Sequence, residues 1–283
     1  MSLTATLLPK ITVVTPSLNQ ARFLEESIVS VLSQGYPNLE YIIMDGGSTD
    51  GSKAIIEKYS SSLAYWCSEP DQGQADALKR GFALATGEIF CWLNADDLYL
   101  PGALLAIGTF FATHPQAEAL NGGAFVVDEN GAPFLQGFWT YSEGVAATYR
   151  RLKWYGQDGI FQQSTSWRRT AFEAVGGVNR NLFFLMDKDL FVRLAMRRSF
   201  SRIPRLLACF RLHGASKTHL YQNRRLDEEA WFGAKYRSDR GSRLLYPFVY
   251  FFYRIRSLFR KALTCAPVKF GLRPIRIPIQ EHL

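Results

Sequence analysis

Residues 11–15, Ile-Thr-Val-Val-Thr, form a run of β-branched side chains closed by Pro16 and read as a buried first strand. Over residues 21–33 the apolar positions Leu24, Ile28, Val31 and Leu32 recur at helical spacing, with Gly35 as the stop. Residues 39–44 predict a second strand, which enters the turn Asp45-Gly46-Gly47-Ser48-Thr49-Asp50-Gly51. A helix over 52–59, a short strand over 64–68, a helix over 75–85 and a strand over 88–93 continue the alternation. This β-α-β-α-β rhythm predicts an α/β fold with a mostly parallel central sheet flanked by helices. In such sheets ligands sit beyond the carboxyl ends of the strands. Asp45 and Asp96-Asp97 both fall there, directly after apolar runs.

Composition agrees with a folded domain: of 283 residues, 47% are hydrophobic and 20% charged, which excludes a disordered chain. The cysteines, Cys67, Cys91, Cys209 and Cys265, are far apart and form no Cys-x-x-Cys pair. That usage speaks against a zinc site or a disulfide framework and suits a reducing cytoplasm. Residues 1–10 lack the apolar core and cleavage site of a signal peptide, so none is expected. The net charge of +8 is unevenly spread: residues 1–220 hold 20 basic and 20 acidic side chains, whereas 221–283 hold 13 and 5. A neutral catalytic domain over 1–220 and a basic extension over 221–283 are therefore expected. Neither Gly-x-Gly-x-x-Gly nor Gly-x-x-x-x-Gly-Lys-Ser/Thr follows the first strand, so any nucleotide binding must rest on carboxylates and a metal.

Six segments in the first 105 residues carry a more specific signal. They are residues 13–19 (Val-Val-Thr-Pro-Ser-Leu-Asn), 44–51, Ser68-Glu69-Pro70-Asp71-Gln72-Gly73, Asp76-Ala77, 85–89, and Trp92-Leu93-Asn94-Ala95-Asp96-Asp97. In this order and spacing they resemble glycosyltransferase family 2, enzymes of the GT-A fold. The likeness continues to about Thr218 through Gln162-Gln163-Ser164-Thr165, Met186-Asp187-Lys188-Asp189-Leu190 and Phe210-Arg211-Leu212-His213, and does not cover the basic extension.

The resemblance implies an inverting, metal-dependent, hexosyltransferase-like enzyme with a nucleotide-diphosphate sugar donor and Mg²⁺ or Mn²⁺. Carboxylates suit that chemistry, because a hard cation held by one or two of them neutralises the charge growing on a departing diphosphate. On the matching positions Asp97 is expected to bind the metal, Asp96 the ribose or the metal shell, and His213 to complete the metal site. Asn94 stands where many members have Asp. Asp45 is expected to recognise the base, with Gly46 where many members have a second Asp. Thr15, Pro16 and Ser17 would line the nucleotide pocket, and Asp71 and Asp76 would contact sugar or ribose. Lys79 faces either a phosphate or solvent, while Arg211 and Lys217 bring positive charge to the phosphates. Asp187 is expected as the catalytic base, at the head of an amphipathic helix whose acids open it and whose Arg197 and Arg198 close it. Gln162 and Gln163 are placed at the acceptor.

In the basic extension, residues 246–263 read as an amphipathic helix, with Phe248, Phe251, Phe252, Ile255, Leu258 and Phe259 opposite Arg254, Arg256, Arg260 and Lys261. The apolar stretch 244–253 is too short to span a bilayer. An anionic membrane surface and a helix docked on the body or at a homodimer contact are the alternatives. No nucleic-acid module accompanies the charge, so nucleic acid is not expected as a partner. The picture is of a cytoplasmic enzyme acting on a surface-glycan or lipid-linked acceptor, peripheral on the inner face of the membrane if the extension takes the first of these alternatives. Two rivals stand beside it. A nucleotidyltransferase would show a glycine-rich basic loop after the first strand, and a non-catalytic nucleotide-sugar or glycan-binding relative would have lost the acidic pair or the base.

Overall fold

The apolar run near the start of the sequence becomes β1 (Ile11–Ser17), buried at every position because helices cover both faces of the sheet around it. In a computed structural model, which describes residues 8–133, 160–198, 200–220 and 222–236 and the single residues 248 and 251, β1 lies between two parallel neighbours. These are β2 (Leu39–Asp45) and β4 (Ile89–Trp92), and β3 (Tyr65–Ser68) joins β2 in parallel. The remaining strands are β5 (Leu98–Tyr99), β6 (Ala119–Val127), β7 (Thr165–Arg168) and β8 (Ser201–Arg211), and the sheet runs β3-β2-β1-β4-β7-β6-β8-β5. The first half is the parallel sheet that the βαβ rhythm predicts. The second half is mixed: β7 is antiparallel to β4 and β6, β5 is antiparallel to β8, and β6 and β8 are parallel.

Helices α1 (Ala21–Leu32) and α4 (Ala103–Thr113) cover one face with Leu24, Ile28, Val31, Leu104 and Ile107. Between them in sequence come the short α2 (Ser52–Lys58) and α3 (Gln74–Leu84). The opposite face is covered by α3, α5 (Arg169–Ala174) and α6 (Met186–Arg197), through Leu78, Phe82, Phe172, Leu190 and Phe191. Gly81 lets α3 approach the sheet, since a Cβ there would lie 2.6 Å from Val14 Cγ1. A single turn, α7 (Lys217–Leu220), leads into α8 (Gln222–Tyr236).

Helix α8 opens the basic segment 221–283, yet it buries Phe232 in the same core as α6. The amphipathic helix expected over 246–263 lies outside the described residues except for Phe248 and Phe251, both exposed. No helix among the described residues is long and apolar enough to cross a membrane. Cys67, Cys91 and Cys209 are buried free thiols.

Candidate active site

Strand register brings Ser17, Asp45 and Ser68 level at the carboxyl ends of β1, β2 and β3. Asp45 is buried, and its carboxylate gathers the turn behind it. Oδ1 accepts from Ser48 Oγ, while Oδ2 accepts from the Ser48 N–H at 2.9 Å and Ser68 Oγ at 2.7 Å. Beside it, Ser17 Oγ is buried with no hydrogen-bond partner among the described residues. Thr15 Oγ1 pairs with Tyr41 OH at 3.1 Å, and Pro16 is buried in the strand. Asp71 stands over Gly46: a Cβ on that glycine would meet Asp71 Oδ2 at 3.0 Å, while Asp71 Oδ1 accepts the Gly73 N–H at 2.7 Å.

The acidic turn after β4 buries Asp97 and leaves Asp96 partly exposed. Asp97 is fully buried, with Oδ1 accepting the Arg211 backbone N–H at 3.0 Å and Oδ2 accepting Gln163 Nε2 at 2.9 Å and Asn94 Nδ2 at 3.1 Å. Burial, reinforced by the adjacent Asp96 charge, pushes its carboxyl well above the ordinary range. Asn94 is the hub of the turn. Its Oδ1 accepts from Trp92 Nε1 and Gln74 Nε2, both at 2.7 Å, and its Nδ2 donates to Asp97 and to Gln162 Oε1. Every hydrogen-bonding position of that amide is used, and an aspartate could not donate toward Asp97. Arg211 is equally committed. Its guanidinium donates to Asp96 O, Glu129 O and Glu26 Oε2, and lies 4.8 Å over the Phe23 ring.

The chain after β8 then reaches two places at once. His213 Nε2 lies 3.0 Å from Asp96 Oδ2, with its ring against Phe23 at 4.5 Å. Four residues on, Lys217 Nζ donates to Gln74 Oε1 at 2.9 Å and lies 4.1 Å over the Phe183 ring. Burial lowers Lys217 to about 8, against the pull of the Asp187 and Glu228 charges, which favour the ammonium. Asp187, in the first turn of α6, is raised by burial, with the Lys188 and Lys217 charges opposing that rise. Its Oδ1 accepts the Lys188 N–H at 2.7 Å. A polar chain therefore runs from the Asp187 neighbourhood through Lys217, Gln74 and Asn94 to the acidic turn. Beside His213, a cleft of about 350 Å³ opens between Asn19, Phe23, Asp50, Glu129 and Gly214.

A family model described as Glycosyl transferase family 2 matches residues 12–176. The chain belongs to that family. Among curated relatives, an uncharacterized glycosyltransferase of Nostoc sp. is 38% identical over 107 residues, covering 37% of this chain and 33% of that protein. The chain thus spans about a third of that relative's length. The PGL/p-HBAD biosynthesis glycosyltransferase of Mycobacterium bovis is 29% identical over 189 residues, covering 65% of this chain and 69% of that protein. Among solved structures, the mannosyltransferase PcManGT of Pyrobaculum calidifontis, in complex with GDP-Man and Mn²⁺, superposes with a TM-score of 0.62 at 20% identity, covering 97% of this chain and 78% of that one. S. aureus TarS 1-349 in complex with UDP gives 0.60 at 18% identity, covering 72% and 61%. These likenesses establish the GT-A fold of glycosyltransferases.

Within this family 2 chain, His213 lies against Asp96, and Asp187 and Lys217 act on each other through their charges. Other expected residues have partners within the protein. Asp97, expected as the metal ligand, has both oxygens engaged in the interior, because β8 delivers the Arg211 N–H to one of them. Gln162 and Gln163, expected at the acceptor, brace the acidic turn: Gln162 Nε2 donates to Trp92 O, and Gln163 Nε2 to Asp97. The Arg211 guanidinium, expected at a phosphate, donates to protein acceptors. Asp76 forms an ion pair with Arg180 at 3.5 Å. Lys79 is exposed on α3, five residues after Gln74 and so on a different side of that helix. Sequence reasoning gave no role to Gln74, although it lies in the family-like loop 69–76, or to Glu228, and the role of each becomes visible only through partners distant in the chain.

Proposed function

We propose that this protein is an inverting glycosyltransferase that moves a sugar from a nucleoside-diphosphate donor to an acceptor hydroxyl. One observation carries the reading: the loop after β8 brings His213 to Asp96 and Lys217 to the surroundings of Asp187, so a metal side and a base side share one scaffold.

Asp96 and His213 supply the donors for a divalent cation. A carboxylate oxygen and an imidazole nitrogen suit Mn²⁺, and Mg²⁺ is also commonly held by few protein ligands together with substrate phosphates. Such a cation neutralises charge on the leaving diphosphate when bound. Asp97 organises this site from behind rather than joining it.

On the base side, Asp187 accepts the proton of the acceptor hydroxyl. The oxygen bonds to the anomeric carbon on the face opposite the diphosphate, the carbon–oxygen bond to the diphosphate breaks, and the nucleoside diphosphate leaves with that electron pair. Lys217 contributes positive charge that keeps Asp187 ionised. Ser17, Asp45 and Asp71 form the nucleoside wall, with the unpaired Ser17 hydroxyl available to the donor. The UDP and GDP-Man held by the structural neighbours support a pyrimidine or purine nucleoside-diphosphate donor. A surface-glycan or lipid-linked acceptor is supported by the 13 basic against 5 acidic residues of the segment 221–283, suited to an anionic membrane surface. Thermal shift and turnover with UDP-, GDP- and dTDP-sugars, with and without Mn²⁺, test the reading. Stabilisation by one donor class, with metal-dependent release of nucleoside diphosphate, is expected. Release of pyrophosphate, or donor binding without any turnover across glycan and lipid-linked acceptors, would refute it.

A further inference from the structure

We infer that α8 is a positioning element of the active site, with Glu228 the residue that sets where Asp187 stands; this rests on the reading of Asp187 as the base. Helix α6 begins without a side-chain cap of its own. The three N–H groups that lead into it, of Phe183, Phe184 and Leu185, all donate to the Glu228 carboxylate, the last two at 2.8 Å. Charge-assisted bonds of this kind are among the stronger ones, and a negative charge at a helix N-terminus is favoured by the helix dipole. The backbone is therefore anchored two residues ahead of Asp187.

Helix α8 takes a second grip two residues beyond it. Lys235 Nζ and Tyr236 OH donate to Asp189 Oδ1 at 2.8 and 2.6 Å, while Arg193, within α6, takes Oδ2. Glu228, Phe232 and Lys235 are spaced i, i+4, i+7, so one face of α8 supplies the cap, the buried apolar contact and the cation. Asp187 lies between the two anchors. The Glu228 anchor also fixes Phe183 and Phe184, whose rings carry the Lys217 ammonium at 4.1 and 5.7 Å. One carboxylate on α8 thus orients both the base and the cation beside it.

The test uses full-length Glu228→Gln, Asp187→Asn and their double variant, with kcat, donor KM, donor affinity by calorimetry and melting temperature as readouts. A misplaced base costs rate without costing donor binding. The expectation for Glu228→Gln is a loss of kcat of about tenfold or more, with donor KM and affinity within about twofold of the parent. In the Asp187→Asn background the same change adds little, because a positioning residue then has nothing to position. Should Glu228→Gln not fold, Lys235→Met carries the test with the same readouts. Unchanged kcat in Glu228→Gln, or equal losses in both backgrounds, overturns the inference while leaving Asp187 as the base. A full rate in Asp187→Asn instead overturns the base reading itself.

Discussion

His213 Nε2 lies 3.0 Å from Asp96 Oδ2, while the neighbouring Asp97 turns its carboxylate into the interior. The two aspartates should therefore fail differently. Asp96→Ala and His213→Ala are expected to weaken Mn²⁺ binding in the presence of nucleoside diphosphate and to lower kcat by about 10²-fold or more, with the fold intact. Asp97→Ala leaves the Arg211 N–H, Gln163 and Asn94 without their acceptor, and should cost about 2–4 kcal/mol of stability. Calorimetric Mn²⁺ titration and denaturant unfolding on all three variants check this. A selective loss of metal binding in Asp97→Ala, with unfolding unchanged, would return the metal role to Asp97.

The rate should show two limbs against pH. Asp187 must be ionised to accept a proton, and burial raises its carboxyl, so the acid limb lies above the ordinary aspartate range. Lys217, lowered by burial to about 8, loses its charge above that pH and sets the alkaline limb. Because the ammonium helps to ionise Asp187, Lys217→Met is expected to abolish the limb near 8 and to move the acid limb upward. Lys217→Arg keeps its charge and should extend the plateau to higher pH. A kcat profile for each variant decides the matter, and a limb near 8 that survives Lys217→Met would assign it to another group.

At the opposite end of the parallel sheet, Glu40 should govern acid stability. Burial opposes its ionisation, but donors from Lys10 Nζ, Thr12 Oγ1 and the Thr86 hydroxyl and N–H outweigh that and bring it down to about 2. A depressed folded-state value means that its contribution is complete above the unfolded pKa, near 4.5, and is lost as pH falls through about 2. The contribution is roughly 3 kcal/mol. Glu40→Gln should lower the unfolding free energy by about 2 kcal/mol at pH 7 and flatten its dependence between pH 5 and 2, as read by urea unfolding.

These relationships mark where sequence reading succeeds. The run 11–15, the turn after β2 and the acidic pair after β4 are local patterns, and strands in a parallel sheet deliver their ends to one edge whatever the side-chain detail. Which aspartate of the pair faces outward is not local, because it depends on an N–H from Arg211, 114 residues away. The inward amides of Gln162 and Gln163 depend on β4 in the same way. Charge counting set α8 apart from the body as part of a basic segment. Its docking face rests on Glu228, Phe232 and Lys235 meeting residues 183–189, a pairing that periodicity does not reveal.

Gly46 stands where the family resemblance implies a second aspartate in many members. In this chain the Asp71 carboxylate comes from the loop after β3 to stand over that glycine, 3.0 Å from where a Cβ would lie. Two aspartates cannot share the space without displacing one of them and setting like charges together. Gly46→Asp alone should therefore lower donor affinity about tenfold or more. Asp71→Gly alone should lower it as well, by removing the carboxylate from the nucleoside wall. If the two positions are alternative sources of one carboxylate, the double variant should bind donor more tightly than either single variant, a coupling of about 1–3 kcal/mol. Calorimetry with the donor that gives the largest thermal shift measures the cycle. Simple additivity would show that Asp71 and the residue at position 46 serve separate purposes.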